Sequence, residues 1–223
     1  MTTLGDSEAT APGRVYKGRS AQQRREDRLR RLRECALELF GTEGYAATPI
    51  EKLCTQANVS TRSFYDDMGS REALLITVVD EITTKAAAAA YTALLDSRDL
   101  PLSQRIGRGL RAYLSVTCAS AQTAKVCYVE LIGVSSRVEE FRTAWRRRMT
   151  EMIADEADRA AASGEIEPRD YHLFALCVIG AVNSLGQELA ATPSDTVLRT
   201  QVSLDDIIAE LAHLIAAGSQ GPR

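Results

Sequence analysis

Apolar residues in this chain recur three and four residues apart in successive stretches, which is the spacing of helices that bury one face. The clearest stretch begins at Ile50, where apolar residues fall at i, i+3, i+4 and i+7 up to Ala57. Asn58 follows where the helix must end, and asparagine tolerates the left-handed conformation of a helix C-terminus. Val59 can then fill the angle before a second short helix. The pattern predicts two short helices that meet at a sharp angle.

Residues that cap helices stand at the ends of these two segments. Thr48 and Glu51 have the spacing of a capping box, and Pro49 suits a first helical turn. Ser60 can cap the second helix, and Phe64 continues its buried face. The other face carries Thr61, Arg62, Ser63 and Tyr65. This order predicts a helix-turn-helix, whose second helix enters the DNA major groove with its N-terminal residues nearest the bases.

The rest of the chain is also predicted to be helical, with breaks at glycine, proline and serine. The predicted helices cover about 20–41, 50–57, 61–68, 70–96, 101–120, 122–131, 136–162, 168–190 and 204–217. We therefore predict an all-α fold of about nine helices, with a helix-turn-helix head at 20–69 and a helical body at 70–223. Residues 1–19 contain few apolar residues and are predicted to be a disordered basic arm.

Charge is distributed unevenly between the two ends of the chain. The net charge is −3, but residues 10–33 hold nine Lys and Arg residues against two acidic residues, a local net charge of +7, which leaves −10 elsewhere. A basic N-terminal end on an acidic chain indicates a nucleic-acid partner that the net charge alone would hide. Arg14, Lys17 and Arg19 can lie along DNA, or the arm can be a solvated tail.

Composition favours a reducing compartment and argues against catalysis. Five dispersed cysteines form no C-x-x-C pair and no apolar segment follows Met1, so we predict the cytoplasm and no membrane partner. His172 and His213 are the only histidines, and neither a metal-site spacing nor a phosphate-binding glycine loop occurs. We predict no enzyme activity, no metal and no cofactor. Cys118 and Cys127 suit apolar packing better than redox sensing.

A set of residues with fixed spacing across three helices narrows the prediction further. The set comprises Phe40, Gly44, Tyr45, Thr48, Ile50, Leu53, Ala57, Asn58, Val59, Ser60, Phe64, Tyr65, Gly69, Ser70, Arg71, Glu72, Ala73, Leu74 and Leu75. It resembles the N-terminal DNA-binding domain of the TetR family of bacterial transcriptional regulators, over roughly Arg28 to Val79. The resemblance implies a three-helix DNA-binding domain followed by a helical ligand-binding and dimerisation domain.

The resemblance also implies a function. It is that of a homodimeric repressor that binds a palindromic double-stranded operator and releases it when a small-molecule effector binds the body. The rival hypothesis is that the chain is a helical ligand-binding or partner-binding protein whose acidic recognition helix no longer binds DNA. The rival arises because Asp66 and Asp67 stand where family members commonly carry aromatic or histidine side chains that help to hold phosphate. Either carboxylate can instead accept from a cytosine amino group, or pair with Arg62 or Arg71.

The DNA-binding residues that follow from the resemblance lie in the head. They are Thr48, Ser60, Thr61, Arg62, Ser63, Tyr65 and Arg71, with Arg28 in support. Arg62 lies in the first turn of the recognition helix, where its planar guanidinium can meet a guanine unless Asp66, one turn on, engages it. Arg71 begins the following helix, where it is expected to meet phosphate and to carry no sequence information.

Polar and aromatic residues within the apolar periodicity of the body predict a ligand cavity. The candidates are Tyr91, Tyr113, Thr117, Tyr128, Trp145, Asn183 and Gln187. A few polar groups in an apolar lining are typical of a ligand site, although packing with an internal partner explains any one of them. Glu130 is a separate case, because a buried carboxylate needs a partner, for which Arg142 or Arg146 is available.

The helix predicted around 171–189 is apolar over almost its whole circumference, so it must be covered on several sides. Burial within one domain or a subunit interface would cover it. The resemblance favours the interface, because similar proteins dimerise through their last two long helices as a four-helix bundle. The predicted interface residues are Leu176, Gly180, Ser184, Gly186, Ile207 and Leu211.

Overall fold

The computed structural model describes residues 20–191 and 203–219, and the regular secondary structure of these residues is entirely helical. The helices are α1 (Ala21–Thr42), α2 (Ile50–Ala57), α3 (Thr61–Met68), α4 (Arg71–Leu95), α5 (Leu102–Thr117), α6 (Ala121–Tyr128), α7 (Ser136–Ala162), α8 (His172–Ala190) and α9 (Leu204–Ser219). The prediction of an all-α fold with about nine helices is confirmed. The predicted arm at 1–19 lies outside the described residues.

The first three helices begin and end through local capping contacts. Ser20 Oγ accepts a hydrogen bond from Gln23 N at 3.1 Å, and Ser20 N donates to Gln23 Oε1 at 2.8 Å, so α1 opens with a reciprocal capping box. Asn58 ends α2 in the left-handed conformation, with φ 51° and ψ 53°. Ser60 Oγ accepts from Ser63 N at 3.1 Å and so starts α3. These contacts set the sharp angle between α2 and α3.

One predicted helix cap, that of Thr48 on α2, and one predicted helix start, that of α8, are wrong. Pro49 is the N-cap of α2 and no side chain caps this helix, because the Thr48 hydroxyl already donates to Gly44 O at 2.8 Å. α8 begins at His172 rather than at 168. The Tyr171 hydroxyl donates to Glu167 O at 2.6 Å, a contact that holds the preceding residues in an irregular turn.

One contiguous apolar core holds the head together and extends into the body. Its fully buried members include Leu32, Phe40, Leu53, Phe64 and Leu74. The same core contains Val126, Leu131 and Val138, which come from α6, α7 and the loop between them. α6 also lies directly against α1, since a Cβ added at Gly41 would be 2.5 Å from Gln122 Cβ. The head and the body therefore share a packed contact.

The core of the body is divided into smaller clusters. α5 packs against α4 and α9, and α8 packs against α6 and α7. One cluster joins α5, α8 and α9 around Leu114, Val182 and Leu211, and another lies around Tyr171 where α7 ends and α8 begins. The space between these clusters is only partly filled by side chains, and it forms the cavities described below.

Candidate functional site

The first turn of α3 is presented to solvent on the surface of the head. Phe64 is fully buried, whereas Thr61, Arg62 and Tyr65 on the other face are exposed. The Arg62 side chain is 92% exposed, and its Nε lies 3.9 Å from Asp66 Oδ2, beyond hydrogen-bonding distance. Ser63 is half-buried and bonds to the capping Ser60. The predicted contact residues from Ser60 to Tyr65 thus surround an arginine whose donors are available.

Arg71 and Thr48 do not occupy the positions that were predicted for them. Arg71 Nη1 donates to Tyr45 O at 3.1 Å and to Thr48 O at 2.7 Å, and its guanidinium lies 4.2 Å from the centre of the Tyr45 ring. The Thr48 side chain is fully buried. In this arrangement neither side chain is presented to phosphate, so both predictions are corrected. The two residues fix the loop between α1 and α2 instead.

Asp67 joins α3 to α1 rather than pairing with Arg62 or Arg71. Its side chain is 5% exposed and accepts from Arg25 Nε and Arg28 Nε, each at 2.9 Å. Burial alone would raise the pKa of Asp67, but the hydrogen bonds from Arg28 and Arg25 outweigh it and hold this pKa below its usual value. Arg28, predicted to support DNA binding, is therefore first a structural partner of Asp67.

Other arginines of α1 also bind neighbouring parts of the protein. Arg31 Nε donates to Ala57 O at 2.9 Å, which satisfies a carbonyl at the C-terminus of α2. Arg33 Nε lies 2.9 Å from Glu81 Oε2 on α4. Sequence reasoning missed these contacts, because the partners lie far along the chain and carry no local signal. Much of the basic charge of α1 therefore holds the head together.

The body contains a cavity between α4, α5, α7, α8 and α9. It offers about 110 Å³ to the centres of water-sized molecules. Its lining is apolar apart from Tyr113 and Glu156, and includes Leu94, Ile106, Met149, Ile153, Phe174 and Val178. A smaller compartment adjoins it and is lined by Tyr113, Tyr128, Trp145 and Asn183, among others. Four of the seven predicted ligand-binding residues therefore line these two spaces.

The other three predicted ligand-binding residues lie elsewhere. Thr117 is fully buried and accepts a hydrogen bond from the Tyr128 hydroxyl at 2.7 Å, so it is a packed core residue. Tyr91 is half-exposed and lines a surface groove beside the cavity. Gln187 is exposed on α8 and lines none of these spaces. The helical period alone could not distinguish cavity-facing positions from these three.

Burial favours the neutral forms of Tyr113, Cys127 and Cys118 in this region. It raises the pKa of Tyr113 to about 12, although a hydrogen bond with Trp145 acts in the opposite direction. It also raises the pKa of the Cys127 thiol to about 12 and raises that of Cys118. Thiols with raised pKa values are poor nucleophiles, so these cysteines act as packing residues.

Glu130 connects the body to the head, and its predicted partners are wrong. Its Oε2 accepts from Tyr45 N at 2.6 Å, and its Oε1 lies 3.5 Å from Lys125 Nζ. Arg142 bonds to Glu139 instead, with its Nη1 2.7 Å from the carboxylate oxygens. Because Tyr45 also accepts from Arg71 through its carbonyl, Glu130 reaches the same loop that supports the start of α4.

The predicted dimer residues divide into two groups. Ile207 and Leu211 are buried in the body core of their own chain, and a Cβ at Gly186 would lie 2.5 Å from the Tyr128 ring. These three predictions are corrected. Leu176, Gly180 and Ser184 are exposed, and a Cβ at Gly180 would meet nothing within 4 Å. With Leu173, which is 72% exposed, they form an open stripe along α8.

A metal site and a membrane span are two other features that a helical chain can carry. In residues 20–191 and 203–219, no three His, Cys, Asp or Glu side chains are grouped so that they could hold a metal ion. Among the same residues, α8 alone is long and apolar enough to span a membrane, judged by length and composition only. A helix in a protein core or at a subunit interface can be equally long and apolar. The exposed stripe on α8 fits an interface helix.

Known proteins resemble the chain at the level of both sequence and fold. A family model described as bacterial regulatory proteins, tetR family, matches residues 32–78. The HTH-type transcriptional regulator EthR of Mycolicibacterium smegmatis is 26% identical over 174 residues, which cover 76% of this chain and 77% of that protein.

Solved structures share the fold at low sequence identity. A tetR-family regulatory protein from Rhodococcus RHA1 has a TM-score of 0.66 and 23% identity, covering 88% of this chain and 98% of its own. FadR from Bacillus subtilis, solved in complex with stearoyl-CoA, has a TM-score of 0.69 and 16% identity, and the match covers 85% of this chain and 98% of FadR. An exposed recognition helix on a helix-turn-helix head defines a DNA-binding transcriptional regulator. Residues 32–78 thus match the DNA-binding domain of the tetR family of bacterial regulatory proteins, and the chain as a whole is similar in sequence and fold to regulators of this family.

Proposed function

We propose that this protein is a cytoplasmic repressor that binds a palindromic operator as a homodimer and releases it when a small molecule occupies the body cavity. The observation that carries the proposal is the exposed first turn of α3, where Thr61 and Arg62 stand clear of a packed core. A rigidly held helix with an exposed N-terminal turn fits the major groove.

Arg62 reads a base in this proposal, and its neighbours orient α3 on the sugar-phosphate backbone. A bidentate arginine–guanine contact discriminates between bases by about 1–3 kcal/mol. Ser60, Thr61, Ser63 and Tyr65 supply hydroxyl groups for phosphate contacts, which position the helix without reading sequence. The arm with Arg14, Lys17 and Arg19 adds positive charge, because much of the charge of α1 is engaged internally.

The cavity supports the proposal of a small-molecule effector. FadR from Bacillus subtilis, which has a similar fold, was solved with stearoyl-CoA bound. In the present chain α4 runs from Leu74 and Leu75 in the head core to Ala90 and Leu94 in the cavity lining. A ligand that displaces the distal half of α4 therefore acts on the orientation of the head, and this coupling lowers operator affinity.

The homodimer is proposed to form through the open stripe on α8. Apolar surface on a long helix is stabilised when a second copy covers it, and Gly180 allows close helix approach. Gly180→Leu should yield monomer in sedimentation, while the fold of the protomer is retained because the position is open. Gly186→Leu should instead disturb the fold through Tyr128. A Gly180→Leu protein that remains dimeric would move the interface elsewhere.

A mobility-shift titration against the protein's own upstream DNA tests the proposed function. We expect a sequence-selective complex that dissociates when the cavity is occupied. The second candidate function, a helical ligand-binding protein with lost DNA recognition, is favoured by the internal engagement of Arg25, Arg28 and Arg71 and by the exposed Asp66. Absence of a selective complex at low salt would support that candidate.

A further inference from the structure

The body cavity is the middle one of three adjoining spaces. A surface groove shares Leu94 and Glu156 with it. The smaller compartment on the opposite side shares four residues with it, namely Tyr113, Met149, Ile179 and Val182. The three spaces therefore lie in a row, separated only by side chains that they share, from the groove to the part of α4 that carries Val79 and Thr83. We call this row the path. The polarity of the path changes along its length.

The groove is the end of the path that carries charged side chains and has the larger volume. It offers about 240 Å³ to the centres of water-sized molecules, against about 70 Å³ for the smaller compartment. Arg105 is buried there in a fork with Glu165, with Nη1 and Nη2 at 2.8 and 3.0 Å from its oxygens. Arg98 is exposed in the groove and forms no ion pair within the described part of the chain. Tyr91 lines the same groove with its ring half-exposed.

The middle of the path excludes charge. Its lining is apolar except for Tyr113 and for Glu156, whose carboxylate is bound to Arg159 at 3.0 Å. A charged group placed between these apolar side chains would lose its hydration without gaining a partner, which costs several kcal/mol or more. The apolar part of a ligand, in contrast, gains free energy there in proportion to the surface that it buries.

The far end has polar groups that already bind each other. The Tyr128 hydroxyl donates to the Thr117 hydroxyl at 2.7 Å. Arg146 also lines this compartment and is exposed on α7, so it is the competing position for an anionic group. The smaller volume and the satisfied hydroxyls favour the groove over this end.

We propose that the effector is a single-chain amphiphile with an anionic head group. Its chain fills the apolar cavity, and its head lies in the groove, where Arg98 and Tyr91 bind it. This inference rests on the proposed function, because it names the ligand class of the same cavity. A head that stays in the groove keeps part of its hydration, and Arg98 supplies a charge-assisted hydrogen bond.

The orientation can be measured with Trp145, because it is the only tryptophan of the chain and lines the far compartment. Decanoate is used as the probe, below its micelle concentration, in two brominated forms. Bromine quenches indole fluorescence at short range. Decanoate with bromine at its free chain end should quench Trp145 strongly, and decanoate with bromine beside the carboxylate should quench it weakly. The reverse order would overturn the orientation.

The head-group site is tested by substitutions at two arginine positions, Arg98 and Arg146. Arg98→Ala should weaken decanoate binding roughly tenfold, the loss of one charge-assisted hydrogen bond, while Arg98→Lys should recover part of it. Arg146→Ala should leave it unchanged. Decanol should bind both variants as it binds the parent protein. Three results would each contradict the proposal. They are weaker decanoate binding by Arg146→Ala, an equal weakening of decanol and decanoate binding by Arg98→Ala, and tighter binding of decyltrimethylammonium than of decanoate by the parent protein.

A third variant tests the chain site. Ile106→Trp fills part of the cavity from a half-buried position, so it should weaken tetradecanoate more than octanoate. An unfolded protein would lose both equally and would also lose its operator complex. If the operator complex forms but no decanoate binds, the amphiphile proposal fails and the repressor proposal stands. If decanoate binds as described but no operator complex forms, the repressor proposal fails.

Discussion

The head and the body are both helical, but they are packed in opposite ways. The head has one contiguous core with fully buried aromatic and leucine side chains, and its surface arginines tie α1 to α2, α3 and α4. The body has separate small clusters around adjoining cavities. A continuous core suits the presentation of α3 at a fixed angle. A divided core suits a part that must accept a ligand and change shape.

The junction between the two regions combines the shared apolar core with a chain of hydrogen bonds. Glu130 accepts from Tyr45 N, Tyr45 O accepts from Arg71, and α4 continues from Arg71 into the cavity wall. In the proposed function, these contacts attach a rigid head to a deformable body, and the signal passes between them.

The packing difference itself is tested by the same truncation in each region. Phe64→Ala in the head should lower the free energy of unfolding by about 3–5 kcal/mol, because the site is fully enclosed. Phe174→Ala in the body should cost about 1–2 kcal/mol, since its ring already borders a cavity. Chemical denaturation measures both. Equal losses would mean that the body is as tightly packed as the head.

Arg71→Ala should lower the free energy of unfolding by about 2–3 kcal/mol. It removes the donor of the Thr48 carbonyl, one of the two donors of the Tyr45 carbonyl, and a guanidinium stacked on the Tyr45 ring. Arg71→Lys should recover only part of the lost free energy of unfolding, because an ammonium group lacks the planar fork of donors that a guanidinium has. The exposed Arg62→Ala is the control and should change stability by less than about 0.5 kcal/mol. An Arg71→Ala protein of unchanged stability would return this residue to the predicted role of phosphate contact.

Glu130→Ala should weaken the connection between ligand and operator while leaving ligand affinity unchanged. The lost hydrogen bond to Tyr45 N should cost about 1–2 kcal/mol of stability. In mobility shifts at saturating decanoate, the variant should retain more operator than the parent protein. Glu130→Gln keeps an acceptor oxygen and should behave like the parent. Normal release by Glu130→Ala would place the coupling in the packed contacts of α4 and α6.

Asp67 should give the head a stability that depends on pH. Its folded-state pKa is lowered from the usual 3.8, so its carboxylate stabilises the fold above that value, and this is lost as pH falls through the folded pKa. Asp67→Asn should therefore cost about 1 kcal/mol in neutral buffer and progressively less in strongly acidic buffer. Denaturation curves of both proteins at each pH measure the difference. A pH-independent difference would contradict a charged role for Asp67.

The helix-turn-helix was predictable because its determinants are local. Ser60 as a cap, Asn58 as a left-handed stop and Phe64 as a buried position all follow from neighbouring residues, and the structure confirms them. The roles of Arg71 and Asp67 were not predictable, since their partners are brought close only by the tertiary fold. An arginine beside a DNA-binding helix carries the same local pattern whether it binds phosphate or a carbonyl.

The cavity was predictable as a region but not residue by residue. Tyr113 and Trp145 line it, whereas Thr117 and Gln187 have the same kind of helical neighbourhood and do not. The helical period indicates on which face of its helix a residue lies. A cavity forms where the faces of neighbouring helices do not pack together, and the period does not show where that happens. Likewise, the position of Gly186 against Tyr128 rather than at a subunit interface depends on long-range packing.

In the proposed function, α3 reads DNA sequence through Arg62. The most direct measurement is a titration of the parent protein and Arg62→Ala against the operator and a scrambled duplex at several salt concentrations. Exposed Arg108→Ala on the body serves as the control for loss of one positive charge. We predict that Arg62→Ala weakens operator binding by about 1–3 kcal/mol per half-site and scrambled binding far less. Equal losses on both duplexes would contradict base readout by Arg62.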